Sequence, residues 1–106
     1  MDQQNQNEKN QQMEIELNEE EAQGTYSNLV MISHSASEFI LDFLTVMPGL
    51  TKAKVVKRMI LTPDHAKRLT KALHDNVVKY EKEHGTINLK KAPDTPYNYR
   101  GPMPEA

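Results

Sequence analysis

The chain has 106 residues, of which 37% are hydrophobic and 26% charged, and a formal net charge of −2. That length suits one small domain, and a core drawn from about sixty residues is marginally stable alone, so homodimerisation or docking on a larger partner would bury more surface. The absence of cysteine excludes a disulfide framework, a thiol nucleophile and a thiolate metal site, and it fits a reducing, cytoplasmic setting.

Met1 to Gln12 is Gln/Asn-rich. It lacks the basic start and apolar run of a signal peptide and has nothing to offset the entropy of ordering, so residues 1–12 are expected to be a disordered polar tail. No apolar run in the chain approaches the roughly 20 residues of a membrane-spanning helix.

Met13-Glu14-Ile15-Glu16-Leu17 alternates apolar and acidic residues, the period of a half-buried strand. Its shortness and flanking charge predict an edge strand, followed by an acidic turn region over Asn18 to Gly24. Tyr26 to His34 is a second predicted strand. Ser35-Ala36-Ser37 is a turn. Glu38 to Met47 is a third strand, with Phe39, Leu41, Phe43 and Thr45 on one face and Glu38, Ile40, Asp42 and Leu44 on the other. Phe39, Leu41 and Phe43 are the expected sheet residues beneath a helix. Pro48-Gly49 ends this strand. Ala53 to Leu61 is a fourth, whose alternation is imperfect because Lys54, Lys57 and Arg58 interrupt both faces; snorkelling cations on a wet face account for that.

Thr62-Pro63-Asp64 is a strong helix start: a capping hydroxyl, a proline suited to the first helical position, and an acid that complements the dipole. The helix should run to about His84 and stop at Gly85. Ala66, Leu69, Leu73, Val77 and Tyr80 recur at helical spacing and form its apolar face. Thr86 to Ala106, with several prolines and Tyr97-Asn98-Tyr99-Arg100, reads as an extended tail. The expected fold is therefore α+β: a four-stranded antiparallel meander followed by one long helix packed on one sheet face, a single domain over residues 13–85 between tails 1–12 and 86–106.

Laid out this way, Ala22 to Gly85 resembles a small bacterial and archaeal family known as domain of unknown function 3467. The resemblance rests on Tyr26-Ser27-Asn28, His34-Ser35, Glu38-Phe39, Leu41-Asp42-Phe43, Pro48-Gly49, and Arg58 before Met59-Ile60-Leu61. It extends to Pro63 with His65-Ala66-Lys67 and to Tyr80-Glu81 with Gly85. The family name carries no activity. The resemblance implies a transcription context, because members are often encoded beside the genes for the large RNA polymerase subunits. The element order is also similar to that of the SecB export chaperone, a likeness of topology alone.

His34, His65, His74 and His84 do not form the i, i+4 pair of a zinc site, and no cofactor is expected. His65 lies in the first turn of the helix, where the dipole disfavours a charged ring, and His84 lies near the C-terminus, where it is welcome. Glu38 and Asp42 share a strand face, an arrangement that supports acid–base chemistry only if the environment separates their pKa values. No phosphate-binding glycine loop or catalytic triad order is present, so no enzymatic activity is expected.

Charge is segregated. Lys52 to Lys71 holds seven cations against the single acid Asp64, and Met1 to Gly24 holds seven acids against one lysine. Lys54, Lys57, Arg58, Lys67, Arg68 and Lys71 are surplus to the expected core. They form either a docking patch for a protein or nucleic acid or an ordinary wet surface. Tyr97, Tyr99 and Arg100 give the proline-stiffened tail anchors for a partner's groove.

These features point to a cytoplasmic, non-enzymatic accessory protein that docks on a large assembly, with the RNA polymerase core as leading partner. One alternative is a SecB-like oligomeric holdase, which needs an exposed apolar groove of Leu29, Met31 and Leu44. Another is a nucleic-acid binder acting through the basic patch.

Overall fold

The computed structural model describes residues 12–49 and 51–90. The expected tails lie mostly outside them, as do Tyr97, Tyr99 and Arg100. In chain order the elements are a short helix α1 (Glu19–Ala22), strands β1 (Leu29–His34), β2 (Phe39–Thr45) and β3 (Lys54–Leu61), and the long helix α2 (Pro63–His84). The class is α+β, as expected. The sheet is antiparallel, in the order β1-β2-β3.

The sheet has three strands and not four. Met13 to Leu17 forms no strand, and Met13 and Ile15 are each 90% exposed. The reason is local. The Asn18 side chain accepts a 2.8 Å hydrogen bond from the Glu21 amide and caps α1 directly after the segment, and such a cap offers the backbone an alternative to a ladder.

β1 begins three residues later than the alternation suggested, because side chains take over from the backbone ladder. The Asn28 amide donates to the Val46 carbonyl at 2.8 Å, and its oxygen accepts from the Val46 N–H at 2.7 Å. Ser27 Oγ donates to the Leu44 carbonyl, and Thr45 Oγ1 to that of Tyr26. At the other end of the hairpin, Ser35 Oγ accepts from the amides of Ser37 and Glu38, and Ser35 N–H bonds the Glu38 carbonyl at 2.9 Å.

The broken alternation of β3 has a specific cause. Phe43 pairs with Lys57 while Leu44 pairs with Val55, so Val56 is an extra residue, a β-bulge. A bulge inserts one residue without a partner and resets the alternation. Lys54 and Lys57 therefore fall on one face despite their odd spacing. Val55, Arg58 and Ile60 fall on the other.

The core is small. Among the described residues the buried apolar ones are Ile40, Leu41 and Leu44, all on the central strand β2. Beside them Asp42 is buried, only 3% exposed, and its carboxylate receives the Arg58 guanidinium from directly across the ladder.

α2 starts where expected. Thr62 accepts from the His65 amide, Pro63 occupies the first turn, and Gly85 closes the helix with φ 94° and an amide bonded to the Glu81 carbonyl. That positive φ is a conformation glycine adopts freely. The packing differs from expectation. α2 meets the sheet through β3, none of its 22 residues is buried, and Phe39 and Phe43 are only half-buried. The helix therefore does not seal the sheet face that carries Phe39, Leu41 and Phe43.

Candidate interaction surface

Antiparallel register assembles the surface from three cross-strand rows. Val30, Phe43 and Lys57 form one row, Ile32, Leu41 and Met59 the next, and His34, Phe39 and Leu61 the third. The side chains in each row point to the same face. Leu41 is buried, while Val30, Ile32 and Met59 are exposed, Ile32 at 63%. His34 stacks on Phe39 with ring centroids 5.4 Å apart. Lys54 extends the surface at the Lys57 end, opposite Thr45. The outcome is an apolar patch with two lysines at one end. Glu21, Thr25 and Ser27 line an open hollow there with Phe43, Val56 and Lys57, so the acidic arm reaches the edge of the basic region.

The opposite face is built differently. Ile40, Asp42 and Leu44 run along its centre, flanked by Ser33, Met31 and Leu29 on β1. Leu44 is buried, and Leu29 and Met31 are half-buried. Val55 and Ile60 on β3 share this face and are exposed, Ile60 at 59%.

Two of the cations expected to bind a partner are engaged in ion pairs within the chain. Arg58 is part of the fold: its Nε and Nη2 reach the two Asp42 oxygens at 2.7 and 2.8 Å. Asp42 accordingly pairs with Arg58 and not with Glu38 as a carboxylate couple. Arg68 bonds Asp64 one turn earlier at 2.9 Å, on an exposed surface, where such pairs contribute little. Lys67 and Lys71 are exposed on the first half of α2, while Lys54 and Lys57 lie toward the start of β3.

Asp64 sits at the positive end of α2. The Thr62 hydroxyl, which donates to it at 2.6 Å, holds it below the ordinary carboxylate value, with smaller help from the charges of His65 and Arg68. This stabilises the ionised form at the positive end of the helix dipole. Among the described residues no three His, Asp or Glu side chains come together as a metal site, and no helix is long and apolar enough to cross a membrane.

Sequence reasoning missed the exposed row positions Val30, Ile32 and Met59. A signal was available: both alternating faces of β1 carry large apolar residues, more than a sheet with one buried face needs.

The fold is a small α+β domain, a three-stranded antiparallel sheet followed by a long helix. The family model for protein of unknown function (DUF3467) matches residues 1–89, and the chain belongs to that family. No curated protein and no solved structure matches the chain. Asn28, Ser35, Asp42, Arg58, Pro63 and Gly85, on which the resemblance partly rested, are residues that tie strands, turns and helix ends together.

Proposed function

We propose that the protein is a non-enzymatic, cytoplasmic accessory module that docks on a larger assembly through the sheet face of Val30, Ile32 and Met59, with Lys54 and Lys57 steering the approach. One observation carries this reading: Val30, Ile32 and Met59 stay exposed on either side of Phe43 and Leu41, on a face the protein's own helix does not seal. Exposed contiguous apolar surface with a polar edge is what protein-binding sites present. The RNA polymerase core is the first partner to test, supported by the transcription context that family membership suggests.

The test is a tagged pull-down at native expression level and low salt. The intact chain should recover the large polymerase subunits. An Ile32→Asp/Met59→Glu chain that still folds, by its circular dichroism, should lose them, and Lys54→Glu/Lys57→Glu should lower recovery at low salt and make it less salt-sensitive. Absence of polymerase from the intact chain's eluate overturns the polymerase assignment. Equal recovery by the Ile32/Met59 variant overturns the assignment of the face.

A further inference from the structure

The second uncovered surface is on α2. At about 100° per residue, no Lys, Arg, Asp or Glu lies within about 60° of Leu73 between residues 66 and 84. The stripe there is Ala66, Leu69, Leu73, Val77 and Tyr80, and all but Ala66 are exposed, Leu73 at 59%. Isolated helices draw little stability from propensity and rely on packing an amphipathic face, so a stripe of this length calls for an occupant.

The spacing of the stripe points to what that occupant is. Leu69 and Val77 lie four residues either side of Leu73, and Ala66 and Tyr80 lie seven either side. A two-fold axis at Leu73 maps the stripe onto itself with direction reversed, the self-complementarity that an isologous interface requires. We propose that α2 pairs antiparallel with α2 of a second copy of this chain about Leu73.

In that arrangement Leu73 meets Leu73, Leu69 meets Val77, and the smallest member, Ala66, faces the largest, Tyr80. His65 and Glu83 lie on the same flank of the stripe, and the two-fold brings His65 of one copy within about a turn of Glu83 of the other. Glu83 in the last turn of each helix then lies beside the positive end of its mate's dipole. A parallel pair would instead place Ala66 against Ala66, Tyr80 against Tyr80 and Glu83 beside Glu81. The interface uses a different element from the sheet face above, so failure of either leaves the other standing.

The chain has no cysteine, so introduced thiols report geometry without background. Sedimentation equilibrium of the full chain at micromolar concentration should give twice the 12.1 kDa chain mass, and Leu73→Lys should return it to the single-chain mass. An oxidised equimolar mixture of Ala66→Cys and Tyr80→Cys chains should yield the mixed disulfide, while neither chain alone forms one. These two variants leave Leu73 in place and keep the test open if Leu73→Lys unfolds. Self-linking of Ala66→Cys alone would indicate a parallel pair and overturn the proposal. So would a single-chain mass for the intact protein. In that case a Leu73→Cys thiol blocked to maleimide would put the chain's own residues 91–106 on the stripe, and a reactive thiol would leave it to a foreign partner.

Discussion

Asp42 on β2 and Arg58 on β3 stand directly opposite each other and are joined by two parallel hydrogen bonds of 2.7 and 2.8 Å. The carboxylate is buried and the guanidinium about one-third exposed. Forked guanidinium–carboxylate bonds are among the stronger side-chain interactions, and this one clamps the middle strand to an edge strand beside the core.

Removing one member leaves the other charge without its main partner. Arg58→Ala should destabilise the fold by roughly 3 kcal/mol, the lower end for a buried pair because Arg58 is partly wet. Urea denaturation measures this. Arg58→Lys should recover only part of the loss, because an ammonium cannot fork. The apolar double replacement Asp42→Leu/Arg58→Leu should be closer to the parent than either single change. A loss under about 0.5 kcal/mol for Arg58→Ala, the range of ordinary surface substitutions, would contradict the pairing.

The Asn28 side chain acts as an extra rung of the ladder, with both its amide nitrogen and its oxygen bonded to Val46. Asn28→Ala should cost about 1 kcal/mol and speed hydrogen exchange at the Val46 amide while leaving that of Phe43 unchanged. Asn28→Asp should fail to rescue it, since a carboxylate cannot donate to the Val46 carbonyl.

The start of α2 should respond to pH through Asp64. Its folded value lies below the unfolded one, chiefly because the Thr62 hydroxyl donates to it. Its contribution is therefore present above the unfolded value and is lost as pH falls through the folded one. A side-chain carboxyl titration by NMR should place Asp64 below an unfolded-peptide reference, and Thr62→Ala should move it up. The same substitution removes the helix cap and should cost about 1 kcal/mol at neutral pH.

If two copies share the α2 stripe, folding and association are linked, and the thermal midpoint must rise with protein concentration. Differential scanning calorimetry over a hundredfold concentration range should show that rise for the intact chain and none for Leu73→Lys.

The sequence made some of these features legible and hid others for physical reasons. Thr62, Pro63 and Gly85 announce the helix ends because caps and stops act within a few residues. The fold class and the Ser35 turn follow from equally local signals. The partnership of Asp42 with Arg58 spans 16 positions and depends on register, which a bulge at Val56 shifts. Simple alternation placed Lys54 and Lys57 on opposite faces, although their spacing of three within an otherwise β-branched run was a trace of the bulge. Met13 to Leu17 has the period of a strand, but the Asn18 cap draws the following residues into α1. The apolar period of α2 makes the stripe itself legible, but its residues lie exposed and not packed under the sheet as expected. What periodicity does not contain is whether the stripe faces the chain's own sheet or another molecule.

The measurement that bears most directly on that question is backbone hydrogen exchange along α2 of the intact chain at two widely separated protein concentrations. The account predicts slow exchange from Leu69 to Tyr80 at high concentration that is lost on dilution, with the β2 core protected in both. Equal protection of α2 at both concentrations would mean that the chain covers its own stripe, and it would contradict the account.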